Sequence, residues 1–145
     1  MIRLAVLSDA EAINEINAVS LGYPCELRLT SRLISTVLAH PDHVLLVFEE
    51  DKQVIGYIHA ERYISLYESE FYNLLGLAVR QGYHGQGVGR TLLRAVEDYA
   101  KDQGAMGIRL NSGSQRTKAH RFYENMGYDG HKLQKRFIKR FEDKE

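Results

Sequence analysis

Val79-Arg80-Gln81-Gly82-Tyr83-His84-Gly85-Gln86-Gly87-Val88-Gly89-Arg90 is the stretch that decides the fold, and it carries glycines at three alternating positions. An apolar segment typical of a strand precedes these glycines (residues 74–79), and an amphipathic segment typical of a helix follows them (residues 88–100). Glycines let the backbone approach a ligand closely, and the start of a helix supplies unpaired N–H donors. The pattern therefore predicts a phosphate-binding turn between a strand and a helix.

Two common phosphate-binding loops do not fit this turn. A nucleoside triphosphate loop, G-x-x-x-x-G-K-[ST], would place glycine at His84 and lysine at Arg90. The dinucleotide pattern G-x-G-x-x-G fails because its last position falls on Arg90 or on Leu92, depending on the starting glycine. The turn therefore indicates a different phosphate-containing ligand.

The bulk composition narrows the class of protein. The chain has 145 residues, is 44% hydrophobic and 26% charged, and is expected to form a single domain over residues 1–145. Lys plus Arg and Asp plus Glu each number 19, so the zero net charge argues against a nucleic-acid partner. One cysteine, Cys25, permits no internal disulfide, and the chain has no membrane-length apolar run. The charged N-terminal residues lead us to expect no signal peptide. We expect a cytoplasmic protein with no membrane partner.

The order of apolar patterns predicts an α/β fold, β-α-α-β-β-β-α-β-α-β-β. A capping box over residues 8–11 predicts the first helix, and Thr30 or Ser31 is expected to cap the second. The third helix buries a stripe that begins at Val88, and the fourth ends at Gly127. The expected strands cover residues 2–7, 44–49, 54–63, 71–79, 106–110, 128–133 and 137–141.

Two segments in this order resemble the GCN5-related N-acetyltransferase (GNAT) superfamily. The stretch Leu77-Ala78-Val79 followed by His84-Gly85-Gln86-Gly87-Val88-Gly89 resembles the acetyl-CoA motif [QR]-x-x-G-x-[GA]. The stretch Ala119-His120-Arg121-Phe122-Tyr123-Glu124-Asn125-Met126-Gly127-Tyr128 resembles the motif A-x-x-F/L-Y-x-x-x-G-F/Y. His84 stands at the usual Gln/Arg position, and Arg116 stands where many members have Asn.

The resemblance implies a GNAT-like fold and acetyl-CoA as co-substrate. The fold is a mixed, mostly antiparallel central sheet with helices on both faces and strands splayed at the acetyl-CoA site. The reaction is direct transfer of an acetyl group to a primary amine in a ternary complex. The residues implied in acetyl-CoA binding are Leu77, Ala78, Val79, His84, Gly85, Gln86, Gly87, Val88, Gly89, Arg90, Asn111, Arg116 and Tyr123.

The chemistry of acetyl transfer sets the catalytic roles. The resemblance implies Tyr123 as the general acid for the departing thiolate, since a phenol is protonated at neutral pH. An amine must lose a proton before it can attack, and Glu70 is our candidate for the base. Other carboxylates, Glu61 and Glu68, and the imidazole of His59 are rivals, and a chain of water molecules is the alternative to any side chain.

Several points stay open at this level. The alternative function is a catalytically weak, coenzyme-A-binding sensor or partner module. The acceptor is a small-molecule amine, for example an aminoglycoside, or a peptide amine, and we expect it near residues 21–29 and 64–70. A homodimer is a family-based expectation. The spacing of the histidines predicts no metal site, because His40 and His43 lack a third ligand nearby.

Overall fold

The fold is built on one five-stranded sheet in the order β1-β2-β3-β4-β5. The computed structural model describes residues 1–142. A 3₁₀ turn, Leu7–Asp9, precedes the first helix, and a π-helical turn, Asn17–Leu21, extends it. The strands and helices are β1 (Ile2–Leu4), α1 (Ala10–Ile16), α2 (Leu27–Leu38), β2 (His43–Glu50), β3 (Gln53–Tyr63), β4 (Phe71–Val79), α3 (Val88–Asp102), β5 (Ile108–Leu110) and α4 (Thr117–Asn125).

The pairing of the strands confirms the predicted mixed, mostly antiparallel sheet. Strands β1 to β4 pair antiparallel, and β4 pairs with β5 in parallel. The parallel pairing joins Tyr72 to Ile108 and Leu74 to Leu110, and it ends there. The second half of β4 therefore has no ladder with β5, which is the predicted splaying of the strands.

Helices pack on both faces of the sheet, as predicted. On one face, α3 buries its apolar stripe so tightly that a Cβ added to Gly56 of β3 would lie 3.1 Å from Val88 and 3.2 Å from Leu92. On the other face, α1 and α2 bury Ile13 and Ile34 in a cluster with strand side chains. Burial of each such side chain contributes about 1.5–3 kcal/mol. This packing fixes the start of α3, and with it the end of the glycine turn, to the sheet.

A β-bulge in β4 switches which face its side chains occupy. His59 pairs with Gly76 and Ala60 with Leu74, so Leu75 is an extra residue. Tyr72 contacts the ring of Tyr99 on α3, whereas Ala78 belongs to the cluster on the α1–α2 face. In a regular strand, residues six apart share a face. The single extra residue places them on opposite faces.

The chain forms two compact units, Met1–Asn111 and Ser112–Glu145. The first contains the whole sheet with α1, α2 and α3, and the second contains α4. Over residues 1–142, no helix combines the length and the apolar character needed to cross a bilayer.

The two final strands that the sequence predicts, over residues 128–133 and 137–141, are wrong. After α4 the structure describes no strand up to residue 142. Strand propensity expresses fit to a pleated, half-buried surface, and every side chain from Asp129 to Glu142 is exposed. Without a paired neighbour, the apolar composition of this segment does not produce a strand.

The predicted helix caps are also corrected. The α2 helix begins at Leu27, so Thr30 lies inside it, where Asn14 donates a hydrogen bond to its buried hydroxyl. At the first helix, the Asp9 carboxylate accepts a hydrogen bond from the Val6 N–H and pairs with Arg3. Hydrogen bonds from the Arg3 guanidinium hold the pKa of Asp9 below its usual value. Sequence spacing placed the caps a few residues from the true helix starts.

Candidate functional site

The glycine turn adopts a backbone that only glycine takes without strain. Gly85 and Gly87 have φ values of +79° and +81°. A Cβ built on either residue would meet no atom within 4 Å, so the requirement for glycine is conformational rather than steric. The space above these two residues is therefore open to a ligand.

The turn ends on the N-terminus of α3, which offers free donors. The first intrahelical bond runs from the Thr91 N–H to the Gly87 carbonyl, at 3.0 Å. The N–H groups of Val88, Gly89 and Arg90 precede this bond, so the helix provides them with no carbonyl. Together with the positive end of the helix dipole, they can hold a pyrophosphate. The Val88 side chain is buried, so its contribution is its backbone.

His84 is bonded back to the strand that precedes the turn. Its Nε2 atom lies 2.9 Å from the Val79 carbonyl oxygen. Because a carbonyl only accepts, Nε2 carries the proton and donates it. The Ser20 hydroxyl donates to the same oxygen at 2.8 Å. The side chain of His84, a residue that the sequence predicts to take part in acetyl-CoA binding, thus braces the turn.

The second half of β4 presents backbone groups along its open edge. The Arg80 N–H donates to the Ile55 carbonyl at 2.7 Å, so these two residues form a hydrogen-bonded pair. Such pairs alternate in antiparallel sheets, so the backbone groups of Ala78 turn toward β3 while those of Leu77 and Val79 turn away. Of the three predicted residues, Leu77 can therefore offer both backbone groups to an extended amide ligand. Val79 can offer its N–H, because its carbonyl already accepts hydrogen bonds from His84 and Ser20.

A buried tyrosine lies over the bulge of β4. The Tyr57 hydroxyl donates to Asn17 Oδ1 and lies 3.2 Å from the position that a Cβ of Gly76 would take. Burial raises the pKa of Tyr57 to about 12, so the phenol is protonated over the ordinary pH range. Sequence reasoning missed this group, although a lone glycine inside a strand, here Gly76, is a signal of close backbone approach.

Two histidines on the same face form a hydrogen-bonded pair. His43 Nδ1 and His59 Nε2 are 2.8 Å apart, and His59 pairs across the sheet with Gly76 of the bulge. Burial, aided by the nearby His43, lowers the pKa of His59 to about 4. The imidazole is therefore neutral at pH 7 and can accept a hydrogen bond, but it is a weak base.

Glu70, the candidate base, lies at the other end of β4. Its carboxylate pairs with Arg62, which also pairs with Asp42. To act as a base, the Glu70 carboxylate would have to leave its ion pair with Arg62. Its rivals also differ in position, since Glu61 pairs across the sheet with Asn73 and Glu68 lies on the exposed β3–β4 loop.

Tyr123 occupies α4 in the second unit. Its ring contacts Phe122 and Tyr128, with centroids 5.2 and 5.8 Å apart, and its carbonyl accepts the Tyr128 N–H. Burial raises the pKa of Tyr123, with Arg116 acting in the opposite direction, so the hydroxyl keeps its proton at neutral pH. This is the state that a proton donor requires.

The remaining predicted ligand-binding residues are exposed in the structure. Asn111 ends the first unit, and Arg116 is the residue before α4. Gln86 and Arg90 are exposed beside the glycine turn. Within residues 1–142, no group of three or more His, Cys, Asp or Glu side chains could hold a metal ion.

Comparison with known proteins decides the family. The sequence model described as "Acetyltransferase (GNAT) family" matches residues 10–128. The chain belongs to the GNAT acetyltransferase family. This GNAT member is 30% identical over 132 residues to the uncharacterized N-acetyltransferase YhfO of Bacillus subtilis, which covers 88% of this chain and 89% of the relative. The chain is accordingly an acetyl-CoA-dependent N-acetyltransferase, as the two motifs predict.

Solved structures share the fold of this GNAT protein. One is the aminoglycoside 6'-N-acetyltransferase AAC(6')-IG from Acinetobacter haemolyticus, with a TM-score of 0.83 at 18% identity over 98% of this chain and 99% of that one. Another is AAC(6')-Iy in complex with the bisubstrate analogue CoA-S-monomethyl-acetylneamine, with a TM-score of 0.83 at 17% identity over 97% and 98% of the two chains. The predicted fold class is thereby confirmed.

Proposed function

We propose that this GNAT protein transfers an acetyl group from acetyl-CoA directly to a primary amine in a ternary complex. The observation that carries the proposal is the run of backbone donors from the open edge of β4 into the N-terminus of α3. The backbone groups of Leu77 and the N–H of Val79 suit the amides of the pantetheine arm. The N–H groups of Gly87, Val88, Gly89 and Arg90 suit the pyrophosphate.

The proposed reaction needs a proton donor for the departing thiolate and a route by which the amine loses its proton. The amine attacks the thioester carbonyl, the carbon–sulfur bond breaks, and the Tyr123 hydroxyl supplies a proton to the departing thiolate. The attacking amine must be neutral. The Glu70 carboxylate is ion-paired with Arg62, and His59, whose pKa is lowered to about 4, is a weak base hydrogen-bonded to His43. We therefore propose that the proton leaves the amine through water.

The proposal also covers the domain and its setting. We propose that residues 1–145 form a single N-acetyltransferase domain, because the family match over residues 10–128 spans both compact units. A cytoplasmic location is proposed from the lone free cysteine, Cys25. We propose that the acceptor is a small-molecule or peptide amine, and aminoglycosides are included because one solved structure with this fold is an aminoglycoside 6'-N-acetyltransferase.

Release of free thiol from acetyl-CoA tests the function. The protein is assayed with a panel of amines, polyamines, aminoglycosides and peptides, and acetyl-CoA binding is measured separately by calorimetry. Amine-dependent thiol release supports the proposal. Tight binding without release from any amine would instead favour the sensor, and absence of binding would reject both.

A further inference from the structure

Arg109 of β5 is a half-buried guanidinium that has no carboxylate partner among residues 1–142. Its Nη1 atom donates to Asn73 Oδ1 at 2.7 Å, and its Cζ atom lies 4.2 Å from the centre of the Tyr63 ring. Proteins seldom withdraw an arginine from water without pairing its charge. The positive charge of Arg109 is therefore held in place and remains available to an anion from outside the chain.

The hydrogen bond between Arg109 and Asn73 leaves donors unused on both side chains. A guanidinium only donates, so the Asn73 amide must turn its oxygen toward Arg109, and its Nδ2 group remains a donor. Within residues 1–142, neither this Nδ2 nor the Nε and Nη2 atoms of Arg109 make a hydrogen bond. Several N–H donors beside a positive charge match the oxygens of a carboxylate or a phosphate.

Aromatic rings hold the Arg109 guanidinium in position. Tyr63, which contacts the guanidinium, pairs across the sheet with Phe71 at the start of β4. A Cβ added to Gly107 would lie 3.0 Å from the Phe71 ring, so this ring packs directly on β5 two residues before Arg109. An arginine that is already stacked and hydrogen-bonded loses little further freedom when it binds a ligand. Such preorganisation is expected of a side chain in a binding site.

One carboxylate lies on the same row of the sheet as Arg109. Glu61 pairs with Asn73, and Asn73 pairs with Arg109, so two strand spacings, roughly 10 Å, separate the two charged residues. Within residues 1–142, Glu61 forms no ion pair either. A row that carries one unpaired charge of each sign suits a molecule with an amine at one end and an oxyanion at the other.

The row lies close to the bulge of β4. Asn73 precedes Leu75, the extra residue of the bulge, by two residues, or roughly 7 Å along the strand. Under the proposed function, the pantetheine arm runs back from the glycine turn along Val79 and Leu77, so its thioester end points toward the bulge. Arg109 then lies within the length of a short aliphatic chain from the acetyl group.

We propose that the acceptor of this N-acetyltransferase carries an oxyanion, a carboxylate or a phosphate, and that Arg109 binds it together with Asn73. The assignment of this anion to the acceptor rests on the proposed function. Polycationic amines, including aminoglycosides, are then poor acceptors, because Arg109 repels additional positive charge.

Thiol release from acetyl-CoA with matched amines tests the proposal. The compounds δ-aminovalerate, δ-aminovaleramide and cadaverine place a carboxylate, a neutral amide and an ammonium group on the same chain, and phosphoethanolamine against ethanolamine tests a phosphate. We expect kcat/KM to be higher by roughly tenfold to a hundredfold for the oxyanion compound of a pair, the value of a charge-assisted hydrogen bond. A preference in one pair alone supports the proposal and identifies the oxyanion. Equal values within both pairs, or a preference for cadaverine, would overturn it and leave acetyl transfer established.

Variants of Arg109 test whether this residue carries the preference. Arg109→Gln should abolish it by raising KM for the oxyanion compound more than it lowers kcat, and Arg109→Glu should favour cadaverine. Arg109→Lys keeps the charge without the planar fork and should retain part of the preference. The control, Arg94→Gln, removes the same charge from an exposed position on α3, on the other face of the sheet, and should keep the full preference. A preference that survives in Arg109→Gln would overturn the proposal.

Direct binding separates this proposal from the proposed function. Absence of thiol release from every amine would reject the proposed function, but saturation-transfer NMR with δ-aminovalerate and phosphoethanolamine would still decide whether Arg109 binds an oxyanion. Binding to the wild-type protein that is lost in Arg109→Gln and kept in Arg94→Gln supports the oxyanion site. Absence of binding to the wild type, or equal binding to Arg109→Gln, would overturn it.

Discussion

His84 donates a hydrogen bond to the carbonyl oxygen of Val79, five residues before it and on the other side of the turn. The bond closes the base of the glycine turn, so a residue at the family's Gln/Arg position acts on the chain itself. Removing the His84 side chain should make the turn more mobile. More conformational entropy is then lost when its N–H donors become ordered around the ligand. We therefore expect the affinity for acetyl-CoA to depend on this hydrogen bond within the chain.

We therefore expect His84→Ala to weaken acetyl-CoA binding by roughly threefold to tenfold, the value of one hydrogen bond of about 1 kcal/mol. His84→Gln keeps a donor and should restore most of the affinity. Calorimetry measures both, and His131→Ala, at an exposed histidine, is the control. Equal affinities for all four proteins would show that the brace has no role in binding.

A negative charge at the N-terminus of α3 should prevent the pyrophosphate of acetyl-CoA from binding there. We expect Gly87→Glu to lower acetyl-CoA affinity by at least a hundredfold, because its carboxylate competes for the N–H donors of α3. Gly82→Glu is the matched control, since Gly82 also has a positive φ and open space around its Cβ but lies away from the helix. The two variants should unfold at similar temperatures. Similar losses of affinity in both would attribute the effect to strain.

The proton donor is tested at Tyr123. We expect Tyr123→Phe to reduce kcat by roughly tenfold to a hundredfold, with acetyl-CoA affinity unchanged, because only the departing thiolate uses the hydroxyl. Tyr99→Phe removes a phenol that contacts Tyr72 and should leave kcat as it is. Full turnover in Tyr123→Phe would reject the assignment.

The base is tested at Glu70. We expect Glu70→Gln to change kcat/KM by less than about threefold and to lower thermal stability slightly, since it removes an exposed ion pair with Arg62. The control, Glu26→Gln, breaks the exposed pair with Arg28. A hundredfold loss of kcat/KM in Glu70→Gln would instead support the prediction made from the sequence.

The pH dependence of stability should show two separate windows. Because folded His59 has a pKa of about 4, below its usual 6.5, the unfolded chain binds more protons between these values and stability falls as the pH drops through them. His59→Gln should flatten this part of the melting profile. Asp9, whose pKa is lowered, loses its contribution only below about pH 3.8, so Asp9→Asn should leave the upper window intact. An unchanged slope in His59→Gln would contradict the His59 assignment.

Features of the fold that depend on residues close together in the sequence are predicted well. The bounds of β4 agree with the prediction at both ends, and the apolar stripe of α3 is buried throughout. Contacts between residues that are far apart in the sequence are not predicted by such patterns. The bond from Tyr57 to Asn17 joins residues 40 apart and depends on a π-helical turn that the sequence does not signal. The strands predicted over residues 128–133 and 137–141 are wrong for a related reason, because a strand requires a paired neighbour that local composition does not specify.

The bulge at Leu75 makes β4 two half-strands of opposite phase. The first half turns Tyr72 toward α3, and the second turns Ala78 toward α1 and α2. Deleting this one residue would therefore leave no register that satisfies both cores at once. After the deletion, only one half of β4 could keep its side chains on their present faces: the half that pairs with β5, or the half that leads into the glycine turn. The fold should accordingly tolerate insertions and deletions in the β3–β4 loop, residues 64–70, and exclude them from the strand itself.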